Sequence, residues 1–162
     1  MNIFHEYLDD WEFDGRWRGF VTRLAEICDQ ADGATRKILE ECTIYDRPAR
    51  EHLSAARLLI WVDVNYPDRN HVALTLAGLV DETGMRCGTV SSHCPDDERQ
   101  ADLTWHYLAL APDADPAELA EPLAAWLTEQ AQRPVEELLA RENPFHHRLA
   151  GQLVAERSTR RT

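Results

Sequence analysis

Lysine is almost missing from this chain: Lys37 is the only one in 162 residues, and the other basic side chains are arginines. Against 29 acidic residues stand 17 basic ones, a formal net charge of -12. A field of that sign repels a nucleic-acid backbone and an anionic bilayer, so neither direct nucleic-acid contact nor electrostatic membrane attachment is expected. Long apolar runs are missing too, and none approaches the roughly 18 residues that suggest a membrane span. The opening "MNIFHEYLDDWEFDG" lacks the basic and apolar regions of a secretory signal. A cytoplasmic protein is the expectation. The arginine bias, with abundant alanine and leucine, is that of a high-GC bacterial genome.

Catalytic fingerprints are also lacking. There is no phosphate loop, no dinucleotide-binding glycine pattern, no H-E-x-x-H, no calcium loop of the EF-hand type and no G-x-S-x-G elbow. The expectation therefore leans away from an enzyme and names no cofactor.

Hydrophobic residues make up 44% of the chain and charged ones 28%, ordinary globular material. A single domain over 1–156 is expected, followed by a frayed basic tail over 157–162 that holds Arg157, Arg160 and Arg161. The four cysteines, Cys28, Cys42, Cys87 and Cys94, read as buried thiols more readily than as disulfides.

Periodicity supplies the elements. Ile3, Phe4, Tyr7, Leu8 and Trp11 lie on one face of a short helix, which Asp14-Gly15 breaks. Trp17, Phe20, Val21, Leu24, Ile27 and Cys28 give a second stripe, with Asp32-Gly33 as its stop. Thr35 to Tyr45 is mixed: Ile38, Leu39 and Cys42 suit a helix, while Thr43, Ile44 and Tyr45 suit a strand. Pro48 then marks a loop or a single turn.

In "RLLIWVDVNY" and "HVALTLAGLV" the large apolar residues recur at every second position, as in half-buried antiparallel strands. Strands near Arg57–Asn65, His71–Val80, Met85–His93 and Leu103–Leu110 are expected to form a meander through "PDRN", "DETG" and "CPDDERQAD". Asp115, Pro116 and Glu118 open a helix whose buried face is Leu119, Leu123, Trp126 and Leu127. Short helices after Pro134 and Pro144 follow, the last carrying Phe145, Leu149, Leu153 and Val154. The fold class is α+β: N-terminal helices, an antiparallel meander of four to five strands, and C-terminal helices packed on one face.

The soft side chains between Cys87 and Tyr107 invite a metal or a nucleophile, and strand geometry argues against both. Cys87 and Cys94 point to opposite faces of a strand, and Cys87 and His93 lie roughly 20 Å apart along it. A hairpin closed symmetrically sets His106 opposite residues near Thr89, away from His93. Cys94 sits beside Asp96 and Asp97, which raise a thiol pKa instead of lowering it. His146 and His147 diverge on a helix and read as exposed. No metal site is expected.

The acids cluster instead. Glu6, Asp9, Asp10, Glu12 and Asp14 fall in the first fifteen residues with no base among them, and Asp96, Asp97 and Glu98 fill a hairpin tip. Trp11 beside Asp9 and Asp10 suits a protein interface, the ring supplying burial and the acids matching a basic partner. The expected binding residues are Asp9, Asp10, Trp11, Asp96, Asp97 and Glu98. The function read from them is capture or masking of a basic protein, as by an immunity protein, an antitoxin-like inhibitor or a secretion chaperone. An alternative is a small enzyme or ligand-binding domain with a pocket between meander and helices, built on Asp63, His106 and Tyr107. Against that, Asp63 fits a solvated sheet face shared with Arg57 and Trp61. A nucleic-acid mimic and a homo-oligomer subunit are further alternatives.

Overall fold

The computed structural model describes residues 2–13, 15–46, 58–66, 72–90 and 102–134. Helix α1 spans Ile3–Asp10, α2 Gly15–Gln30 and α3 Gly33–Glu40. Strands β1 Thr43–Asp46, β2 Leu58–Tyr66, β3 Val72–Asp81, β4 Gly84–Val90 and β5 Asp102–Ala109 follow. A 3-10 turn over Pro116–Leu119 leads into α4, Ala120–Ala131. The protein is α+β, with helices on either side of the sheet in sequence, as its patterning requires.

Helix α1 starts where Asn2 caps it: the side-chain oxygen accepts from the Phe4 amide at 3.0 Å. The same side chain is buried and donates to the Ala25 carbonyl at 2.9 Å and to Asp29 at 2.7 Å. One residue thus starts α1 and ties it to α2. Along α2, Trp17, Phe20, Val21, Leu24, Ala25 and Cys28 form the buried stripe that their spacing predicts.

The helices break at both expected places, and the glycine of each Asp-Gly pair opens the helix that follows. Gly15 opens α2, and Gly33 opens α3. Gly33 has φ +54°, a left-handed conformation that glycine adopts without steric cost, so the chain turns there and continues as helix. The mixed segment after it resolves into helix through Glu40 and strand from Thr43.

The five strands form one antiparallel sheet in sequence order, a pure meander. Its front face carries Leu58, Ile60, Val62, Leu76, Val80, Met85 and Cys87 into a core shared with the helices. Helix α4 crosses this face over Gly78, where an added Cβ would meet Leu123 Cδ1 at 2.5 Å. Glycine here lets the helix approach the sheet. The 3-10 turn begins as expected, with Asp115 accepting from the Ala117 amide at 3.0 Å.

The back face departs from the half-buried pattern. Leu59, Ala77 and Leu79 are buried there, and Tyr45 stacks on Trp61 with ring centroids 5.1 Å apart. Near Leu59 the sheet is therefore buried on both sides, and the alternation in sequence marks only which face is the larger. Of the back-face residues expected to be solvated, Asp63 is exposed, Trp61 is half-buried, and Arg57 lies outside the described residues.

The β4–β5 register also differs. His106 pairs with Cys87, not with residues near Thr89; Thr89 pairs with Asp102. An irregularity between Cys87 and Thr89 takes up two extra residues of β5, so the symmetric hairpin count fails. The expected loop at Pro48, the hairpin tip at Pro95 and the helices after Pro134 lie outside the described residues.

Candidate functional site

Helix α1 ends at Asp10, and the Trp11 amide bonds back to the Tyr7 carbonyl at 3.0 Å. Trp11 itself is extended, which swings its ring away from the helix axis. The ring is 42% exposed and meets Tyr7 edge-on, centroids 6.4 Å apart. Phe13, two residues on, is buried and pins the segment to the core. The anchor at Phe13 and the cap at Tyr7 hold an exposed indole between them.

Carboxylates surround this ring in sequence. Asp9, Asp10 and Glu12 are all exposed, and none forms an ion pair with a described residue. Several acids elsewhere are paired instead: Asp29 with His5, Glu26 and Glu121 with Arg23, Glu40 with Arg36, Glu82 with Arg16, and Glu129 with Arg133. Asp9 and Asp10 also occupy the last turn of α1, where the partial charge of the helix end is negative and that turn holds no base. Among the described residues the Arg18 guanidinium reaches this end, donating to the Leu8 carbonyl at 3.2 Å. Two acids thus sit where a helix disfavours them, with no ion-pair partner among the described residues.

At the other end of α1, His5 Nε2 lies 2.7 Å from Asp29. The His5 hydrogen bond, with help from the Asn2 amide, holds the Asp29 carboxyl below the usual carboxylate range. This knot fastens the helix that carries Trp11.

Family models, curated proteins and solved structures were compared with this chain. None matches.

The six expected binding residues therefore divide. Asp9, Asp10 and Trp11 share the corner at the end of α1, while Asp96, Asp97 and Glu98 lie outside the described residues. The alternative trio does not converge. Asp63 is on the back face of β2, with the Thr75 hydroxyl donating to it, and it borders a cleft near α3. His106 is on the front face of β5, three strand spacings or about 14 Å across the sheet and level with Ile60 instead of Asp63, in a separate hollow with Trp126 and Gln130. Tyr107, its neighbour in sequence, points to the back and is 58% exposed. One pocket cannot hold all three, because neighbouring strand residues face opposite ways.

The thiols among the described residues are poor nucleophiles. Burial and the Glu40 carboxylate push Cys28 up to about 11, and burial pushes Cys87 up to about 12. Burial raises Cys42 as well. Cys87 stands opposite His106 in the sheet, yet it is fully buried, so the pairing yields no accessible thiolate. Among the described residues no three His, Cys, Asp or Glu side chains are grouped closely enough to hold a metal ion.

Sequence reasoning missed the Asn2–His5–Asp29 knot. It depends on a contact across 24 residues, which periodicity does not report. Asn2 before an apolar stripe was a legible cap; its second task was not.

Proposed function

We propose that this chain is a non-catalytic binding protein that captures and masks a basic protein partner, as an immunity protein, an inhibitor or a secretion chaperone does. The observation that carries this reading is the corner at the end of α1. There an exposed indole sits beside acids that have no ion-pair partner among the described residues. Acids in the last helical turn cost stability. Their presence is accounted for if they act on something outside the fold. In this reading the carboxylates steer a cationic surface in, and Trp11 is buried on contact. The net charge of -12 adds a long-range attraction of the same sign. Among the described residues no helix is long and apolar enough to cross a membrane, and the proposed setting is the cytoplasm of a bacterium.

Affinity capture from the native lysate, followed by titration of the recovered protein, tests the reading. A basic protein that binds the parent chain, is released by salt, and is lost on Asp9→Asn/Asp10→Asn or Trp11→Ala supports it. Recovery that is indifferent to all three substitutions overturns the assignment of the corner.

A further inference from the structure

The two edges of the sheet are unlike. Strand β1 is an edge of four residues, short enough to offer little to another strand. Strand β5, at the opposite edge, runs for eight. Edge strands are commonly blunted by proline, by charge or by a bulge. From Leu103 to Leu110 there is no Pro, Asp, Glu, Lys or Arg, in a chain with 29 acids. The irregularity against β4 lies in the first half of β5, and the regular half begins at His106.

Hydrogen-bond phase decides which backbone groups face out. The Leu110 amide donates inward to the Thr83 carbonyl at 2.9 Å. Backbone groups alternate sides along a strand, so His106 and Leu108 also bond inward, to β4, while the N–H and C=O of Tyr107 and Ala109 point away from it. Among the described residues no strand pairs with them. The side chains along this half are largely apolar on both faces. Tyr107 and Ala109 are exposed on the back, and Leu108 and Leu110 are half-buried at the front margin of the core. Among the described residues Tyr107 and Trp11 are the large hydrophobic side chains left exposed.

We infer that β5 pairs with β5 of a second copy of this chain, antiparallel about a two-fold axis at Leu108. This register sets Tyr107 opposite Ala109 of the partner subunit, and Leu108 opposite the partner's Leu108. Each Tyr107–Ala109 pair exchanges two backbone hydrogen bonds, and the two leucines meet on the front face. A two-fold axis brings every residue of a seam near its own copy, so acids there would oppose acids. The run without charge is therefore what a self-pairing edge needs, and it gives a basic protein nothing to match. Two copies of net charge -12 still repel at long range, so salt strengthens this contact, the reverse of its effect on capture of a basic partner. The seam shares no residue with the α1 corner, and the two readings stand or fall separately.

Sedimentation equilibrium of the full chain tests it. A monomer–dimer equilibrium with a dissociation constant of roughly 10 μM is expected, because one pair of strand edges makes a small interface. It should tighten at least about three-fold from low to high salt. Amide hydrogen exchange at Tyr107 and Ala109 should slow as the protein concentration rises. Ala109→Pro removes an N–H that the fold leaves pointing outward, which an edge strand tolerates, and should weaken the dimer at least about ten-fold. Tyr107→Glu sets a carboxylate beside the seam in both copies and should weaken it to a similar extent. Should the proline variant fold poorly by circular dichroism, Tyr107→Glu and the exchange data decide the matter. The inference is overturned if the chain stays monomeric up to about 500 μM. It is equally overturned if salt dissociates the dimer, if the folded variants dimerise like the parent, or if a dimer forms without protection at Tyr107 and Ala109.

Discussion

At the scale of single residues, Asp9 and Asp10 make the sharpest statement. Each faces the negative end of α1, a position that costs about 0.3–1 kcal/mol at an exposed site. Asp9→Asn and Asp10→Asn should therefore each raise the unfolding free energy by an amount in that range, read by denaturant melts at low salt. A loss of stability on either substitution would show that the acids serve the fold. Asp29 behaves in the opposite way. Its pKa is held below the ordinary value by His5 and Asn2, so it contributes stability that is fully present above the ordinary carboxylate range, about 3.9. That contribution is lost as pH falls through the lowered value. Asp29→Asn should flatten this part of the acid limb of a stability–pH curve, and a limb unchanged in shape would remove the knot's role. The thiols give a third test. In a Cys94→Ser background the native chain should react with a disulfide reagent at pH 8 only as fast as it unfolds, because Cys28, Cys42 and Cys87 are buried and their thiolates disfavoured. The thiol and cap assignments were legible from residue type and position. The Asp29 knot was not, since nothing in a sequence marks which of many aspartates a histidine 24 positions away will meet.

At the scale of elements, patterning does most of the work where one face is plainly apolar. The stripe from Trp17 to Cys28 and the alternation from Leu58 to Val64 each name a helix or a strand and its buried face. The pattern is silent where both faces are buried: Leu59 and Leu79 are apolar on the side that Asp63 marks as polar, and only the structure shows them buried. It is silent also about register, because the irregularity beside Gly88 is invisible until the partner strand is placed. Gly78 tests the packing of α4 on the sheet. Gly78→Ala should cost about 1–3 kcal/mol, since its methyl meets Leu123 in a filled core. Leu123→Ala alone should cost about 2–5 kcal/mol. The double variant should cost less than the sum by at least about 0.5 kcal/mol, as the new methyl occupies space that the leucine vacates. Additive costs in a double-mutant cycle would mean that α4 does not sit on Gly78.

For the whole molecule, the excess of acid is a property of the surface and not of the fold. The α+β architecture followed from the order of patterns along the chain: stripes, then alternation, then a stripe. The candidate site followed only in part. Trp11 beside Asp9 and Asp10 was legible as a patch, but its lack of ion-pair partners among the described residues required the positions of the arginines. Arg16, Arg23 and Arg133 each engage a different acid, and Arg18 engages a carbonyl. Asp63, His106 and Tyr107 do not share one pocket, because two strands lie between β2 and β5 and His106 faces the other way from Asp63 and Tyr107, which composition alone does not report. The central claim, that the α1 corner steers and seats a basic partner, is tested most directly by the association rate constant of the recovered partner across an ionic-strength series. For the parent chain the rate should fall steeply as salt rises. For Asp9→Asn/Asp10→Asn it should start about ten-fold lower at low salt and fall less, with dissociation little changed. Superimposable rates for the parent and the double variant at every ionic strength would contradict the account.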